Sequence, residues 1–233
     1  MLKFDYLIGV VGPRQCGKTS IIKQFISKTF SEVHDETIEE IYTTKIHVDI
    51  TEATGYVGEK DNISCSVDIL DTGGSMESSV SENHLKKCDG YLVVCSCEDK
   101  SSFSECLKYI DYLKRLKEGP IAAVIVQNKC DTEEQIRPTL NFGIAYPLLK
   151  TSARTNNGIE EVFRKVICEI VYVEFTSGVL TEGRMREMDR RCLHLKTTRR
   201  GSPSKTPSPS SLTVPKFSPL KRLISLDTFT KIK

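Results

Sequence analysis

At 233 residues the chain is long enough for one domain of ordinary size plus an appendage. Its net charge of +2 divides unevenly: from Thr176 onward 13 Lys and Arg face 4 Asp and Glu, a balance of +9, which leaves −7 for residues 1–175. Nine scattered cysteines, several set in apolar runs such as LVVCSC, speak against a disulfide scaffold and for a reduced cytosolic chain; the lack of a leader pattern or of an apolar run near 18 residues argues against secretion and membrane spanning.

In chain order, the first strand is predicted over Phe4–Val11 and is followed by GPRQCGKTS at Gly12–Ser20. A helix over Gly17–Ser27 turns Ile21, Ile22, Phe25 and Ile26 inward, and the polar stretch HDETIEE follows it. Thr43–Thr51 and Ile63–Leu70 alternate as two strands, with GYVGEKD between them suited to a long hairpin loop. Further strands over Gly90–Cys97 and Ile121–Gln127 flank a helix near Ser101–Leu116. The segment Asp131–Lys150 leaves room for a short helix and a strand near Tyr146–Lys150, and a last helix runs over Ile159–Phe175. Strands alternating with helices predict an α/β domain with a mainly parallel sheet.

Gly12 and Gly17-Lys18-Thr19 fit the pattern G-x-x-x-x-G-K-[ST], after a strand and at the start of a helix, where that pattern has mechanical meaning. Glycines let the backbone wrap closely, so amides and the helix N-terminus face phosphate oxygens. Lys18 then meets the β- and γ-phosphates, and the Thr19 hydroxyl ligates Mg²⁺. NKCD at Asn128–Asp131 closes an apolar strand, with Thr151-Ser152-Ala153 after the next one. A carboxylate at Asp131 accepts from the N1–H and 2-amino groups of guanine, a pair adenine does not offer. Asp71-Thr-Gly-Gly74 ends a strand, which sets a carboxylate for a Mg²⁺-bound water and a glycine amide for the γ-phosphate. Thr37, in HDETIEE, is a candidate second hydroxyl for Mg²⁺.

In chain order the five stretches GPRQCGKT, HDETIEE, DTGGSME, NKCD and TSA resemble the motifs of the Ras-like small GTPases, over about Phe4–Phe175. The resemblance implies a P-loop fold with a six-stranded, mainly parallel sheet and helices on both faces. It implies binding of GTP and GDP with Mg²⁺ through Gly12, Arg14, Gln15, Cys16, Gly17, Lys18, Thr19 and Ser20 on the phosphate side. On the base side it implies Phe30 stacked on guanine, Asn128, Lys129 and Asp131 as the guanine-specificity motif, and Thr151-Ser152-Ala153 as the last base-contacting loop, with Ser152 and Ala153 toward O6. Thr37 and Gly74 fall in the two switches, which order on the γ-phosphate and meet effector proteins, an exchange factor or an activating protein. Metal contacts fall to Thr19, Thr37 and, through water, Asp71.

Departures from the family pattern bear on rate. Ser75 stands where a water-orienting Gln is usual, and Arg14 and Gln15 replace a pair of glycines, so slow hydrolysis is expected, with Lys18, Thr37 and Gly74 left to assist. Arg14 lending its charge in cis is the competing expectation. The chain ends TKIK rather than in a prenylated Cys-a-a-X, a trait similar to the estrogen-regulated growth-inhibitor branch of Ras-related proteins. The insertion Thr51–Asp61 and the short Asp131–Lys150 segment also depart from a typical Ras.

Residues 176–233 read as a Ser/Pro-rich basic tail, too polar to bury a core, with a candidate amphipathic helix near 219–233. Its charge predicts weak contact with anionic membrane and a cytoplasmic, peripheral location; no aromatic platform favours specific nucleic acid. Phosphorylation at Ser202, Thr206, Ser208 or Ser218 would reduce that charge, and Cys192 is either a free thiol or a palmitate site. Two functions of different class stay open: a slow GTPase switch, and a pseudo-GTPase interaction module with fixed or absent nucleotide. A P-loop kinase is a third, and NKCD speaks against it.

Overall fold

The computed structural model describes residues 5–32, 39–48, 63–73, 79–132 and 145–178. Six strands, β1 (Asp5–Val11), β2 (Glu39–Val48), β3 (Ile63–Thr72), β4 (Gly90–Ser96), β5 (Ala122–Asn128) and β6 (Leu148–Lys150), form one sheet in the order β2-β3-β1-β4-β5-β6. Only β2 and β3 run antiparallel; every other neighbouring pair is parallel. Four helices complete the described fold: α1 (Lys18–Ser27), α2 (Ser79–Lys87), α3 (Lys100–Lys117) and α4 (Ile159–Thr176). The α/β expectation, with six strands and helices on both faces, therefore holds.

The apolar runs that predicted β4 and β5 are buried at every residue, as parallel strands covered on both sides must be. Because side chains alternate across a strand, one run feeds two cores. Leu92 and Val94 of β4 join Ile21 and Ile22 of α1 and Val162, Phe163 and Val166 of α4 on one face. Tyr91, Val93 and Cys95 join Leu85 of α2 and Ile110 and Leu113 of α3 on the other. Phe25 stacks on Phe163 with ring centroids 4.1 Å apart, which clamps α1 to α4. The carboxyl ends of β1, β3, β4 and β5 thus lie along one edge, where ligands bind in open α/β sheets.

Three expectations shift. β2 begins at Glu39, four residues before the alternating run at Thr43, because pairing of Glu39 with Thr72 carries the ladder past the apolar pattern. The strand expected at Tyr146 begins at Leu148. Helix α2 was not legible in SVSENHLKK, a polar segment in which Leu85 is buried in the core without an apolar repeat to announce it. The segment 51–61, most of 131–150 and the tail beyond 178 lie outside the described residues. Among the described residues no helix is long and apolar enough to cross a membrane.

Candidate functional site

The stretch GPRQCGKT leaves β1 and enters α1 through backbone that side chains would obstruct. Gly12 has φ 147°, and a Cβ there would lie 2.1 Å from the Val94 carbonyl oxygen. Gly17 caps α1 at φ 94°, where a Cβ would lie 2.3 Å from Asn128 Nδ2. Gln15 takes a left-handed φ of 60° without being glycine. Arg14 and Gln15 are exposed, whereas Cys16 is buried and its thiol is pushed up to about 11 by that burial. Cys16 is therefore a protonated packing group rather than a nucleophile.

Lys18 is buried, and its Nζ donates to the carbonyls of Gly12 at 3.1 Å and Pro13 at 3.0 Å. The ammonium is thus held within the curve of the loop. Opposite it, Asp71 at the end of β3 is fully buried, and its Oδ2 accepts from the Thr19 hydroxyl at 2.6 Å. Oδ1 of the same carboxylate accepts no hydrogen bond among the described residues. Burial pushes the Asp71 carboxyl up to about 6, more than the Thr19 hydrogen bond and the Lys18 charge pull it down. A buried carboxylate oxygen lacking a partner, beside a hydroxyl, is the donor set a hard divalent cation takes, so these residues fit Mg²⁺. Thr72 Oγ1 donates to the Val10 carbonyl at 2.8 Å and pins the end of β3 to β1.

On the base side Asn128 ties three segments together. Its Nδ2 donates to the Cys16 carbonyl at 3.0 Å, and its Oδ1 accepts from Thr151 Oγ1 at 3.3 Å and from the Ala153 amide at 3.2 Å. The Asp131 carboxylate accepts from the Ser152 hydroxyl at 2.7 Å, and that hydroxyl accepts in turn from the Thr155 amide at 3.1 Å. A cavity of about 470 Å³, ample for a nucleotide, runs from Gln15 and Gly17 past Phe30 to Asn128, Asp131 and Ala153.

The residues expected to hold phosphate, base and metal thus converge at one edge of the sheet: Gly12 to Ser20, Phe30, Asp71, Asn128, Lys129, Asp131 and Thr151 to Ala153. Thr37, Gly74 and Ser75 lie outside the described residues.

A family model described as the Ras family matches residues 7–172. The chain belongs to the Ras family. It is also 30% identical over 180 residues to the Ras-like protein rasU of Dictyostelium discoideum, a match covering 70% of this chain and 78% of that protein. Ras-family membership makes it a small GTPase of the signalling-switch type, a class that binds guanine nucleotide with Mg²⁺ and meets effectors, exchange factors and activating proteins.

Within this Ras-family site, three features were not legible in the sequence. Glu98, just beyond β4, forms an ion pair with Lys129 at 2.9 Å, and Arg154 forms one with Glu32 at 3.1 Å; all four residues line the cavity. Cys97 and Cys130 are joined as a disulfide, which corrects, at this pair, the expectation of a wholly reduced chain. The two cysteines are 33 residues apart in sequence, but β4 and β5 are parallel neighbours that end side by side. That β4–β5 adjacency, not cysteine spacing, is the signal that finds them.

Proposed function

We propose that this cavity binds GDP and GTP, with the phosphates on the loop Gly12–Thr19, guanine at Asp131 and Mg²⁺ at Thr19 and Asp71, and that GTP is turned over slowly. The single observation that carries the reading is Asn128. One buried amide joins the phosphate loop at Cys16 to the base loop at Thr151 and Ala153, so the two halves of a nucleotide site are built as one unit. Ser152 holds Asp131 as a hydrogen-bond acceptor at the rim, the chemistry guanine's two donors require.

The chain's residues then divide the work. Lys18, already held by two loop carbonyls, is poised to exchange them for phosphate oxygens, where its charge counters the negative charge that builds on hydrolysis. Gly17, with no side chain, leaves the start of α1 open to phosphate. When bound, Mg²⁺ supplies positive charge shared between the terminal phosphates. Thr37 and Gly74 contact the γ-phosphate and order the switches when GTP is present. Ser75 is too short to orient water as Gln does, and Arg14 and Gln15 add bulk at the phosphate side, so turnover is slow.

Effector contact falls to HDETIEEIYTT. Its described part begins β2, the outermost strand, where Ile41 is 57% exposed. Residues 1–175 act as the GTPase domain, while the +9 charge from Thr176 onward gives a cytoplasmic protein weak attraction to anionic membrane.

Competition of GTP, inosine triphosphate and ATP for a fluorescent guanine nucleotide tests the reading. GTP is expected to bind most tightly, inosine triphosphate more weakly for want of the 2-amino group, and ATP on the order of 10⁴-fold more weakly. Equal binding of ATP and GTP would overturn it.

A further inference from the structure

Two lips of the cavity carry opposite charges that meet. One is the segment that leaves α1. That helix is held behind it by the Phe25–Phe163 stack, Lys28 ends it with a left-handed φ of 56°, and Phe30, Ser31 and Glu32 then line the cavity. The other lip is the turn 152–157, which Ser152 and Asn157 close with two backbone hydrogen bonds of 3.0 and 3.1 Å. The Ala153 amide ties this turn to Asn128 Oδ1 at 3.2 Å, and Arg154 is the next residue. Its Nη2 lies 3.1 Å from Glu32 Oε1, so one ion pair joins the two lips.

Phe30 gives that contact its consequence. Its ring is 40% exposed, in a cavity that Asn128 and Asp131 also line, and an open aromatic face in such a slot stacks on a planar base. The segment 28–32 runs from the end of α1, which the core holds, to Glu32, which the ion pair holds, and Phe30 stands midway. We propose that Glu32 and Arg154 are positioning residues for the nucleotide: their ion pair clasps the α1 segment to the base turn, keeps Phe30 on the base and lengthens the time the nucleotide stays bound. The inference rests on the reading that this cavity takes guanine nucleotide.

The pair is built to be adjustable. Arg154 and Glu32 side chains are 63% and 75% exposed, so water and salt compete for both, and an exposed pair of this kind shifts an equilibrium by at most about fivefold. Such a pair is too weak to hold the fold, and its charges can be exchanged without disturbing the core. The guanidinium stays charged at every working pH, which makes ionic strength a lever on the clasp. Glu98 and Lys129, the second ion pair lining the cavity, differ in kind. They stand just past the paired ends of β4 and β5, neighbours within the sheet, so their contact does not reach the α1 segment.

The test uses the full chain loaded with fluorescent GDP and chased with excess unlabelled GDP, so that loss of fluorescence reports release. Glu32→Gln and Arg154→Gln should each release about threefold faster than the unaltered protein at about 0.1 M KCl. At about 1 M KCl, where the screening length falls to about 3 Å, that difference should vanish. The single reversals Glu32→Arg and Arg154→Glu should release faster than the unaltered protein, and the two together should restore its rate, which loss of packing alone would not do. In a Phe30→Ala background Glu32→Gln should change nothing further, because the clasp acts through that ring. Unchanged release in the single variants, a double reversal that fails to restore the rate, or an undiminished effect in the Phe30→Ala background overturns the inference and leaves guanine binding intact. Failure of the unaltered chain to load fluorescent GDP overturns the guanine reading itself, and this inference with it.

Discussion

The Asn128 side-chain amide donates to the Cys16 carbonyl at 3.0 Å across 112 residues of sequence, joining the base loop to the phosphate loop. Asn128→Ala removes that bond and the two that its Oδ1 accepts, in a fully buried setting. We expect a loss of about 1–3 kcal/mol in nucleotide-free stability, read by chemical denaturation, together with weaker GDP binding. Thr43→Ala, which removes an exposed hydrogen bond to Asp68 on β3, should cost less than about 0.5 kcal/mol and leave GDP binding unchanged.

Two glycines separate conformation from space. Gly17 and Gly178 both have positive φ, 94° and 72°, but a Cβ at Gly17 would lie 2.3 Å from Asn128 Nδ2 while one at Gly178 meets nothing within 4 Å. Gly178→Ala is expected to cost about 1 kcal/mol, the left-handed penalty alone. Gly17→Ala should cost more and should also abolish GDP binding, because the displaced amide is Asn128's. Thermal unfolding and a GDP titration of the two variants check the contrast.

Asp71 gives the apoprotein a pH signature. Its carboxyl sits at about 6 when folded against an ordinary 3.8, so between those values the folded state binds more protons than the unfolded one. Stability from this group is therefore fully present below about pH 4 and is lost as pH rises through 6. Asp71→Asn removes that loss. Relative to the unaltered protein, the metal-free variant should gain on the order of 2–3 kcal/mol between pH 4 and pH 7.5, while its Mg²⁺ affinity falls. A parallel shift of the two proteins with pH would contradict the buried-carboxylate reading.

Hydrolysis tests the substitutions around the γ-phosphate. Single-turnover GTP hydrolysis should be slow in the unaltered protein and little faster in Ser75→Gln. In Ser75→Gln combined with Arg14→Gly it should rise at least about tenfold. An equal rise in the single variant would show that Arg14 does not obstruct catalysis. Turnover in the unaltered protein equal to or faster than that of a Ras-family member carrying Gln would sink the account of the site.

The strands and the site motifs were legible because their signals are local. LVVC in β4 and AAVIV in β5 are buried on both faces, so burial shows directly as an unbroken apolar run. The P-loop glycines and NKCD are legible for the same reason, since one short segment carries the whole requirement. What escaped depends on distant partners. The start of β2 at Glu39 is fixed by Thr72 across the sheet, α2 is a polar helix buried through Leu85, and Glu98 meets Lys129 only because β4 and β5 end together. The Cys97–Cys130 bridge is hidden in the same way, and nine scattered cysteines point away from it.

The most direct test of the central claim is the nucleotide carried by the purified full chain. The protein is denatured and the released small molecules are separated by ion-exchange chromatography. The account predicts near-stoichiometric GDP or GTP with adenine nucleotides at trace level. Folded protein that carries no guanine nucleotide and takes none up from solution, or that releases adenine nucleotide instead, would contradict it.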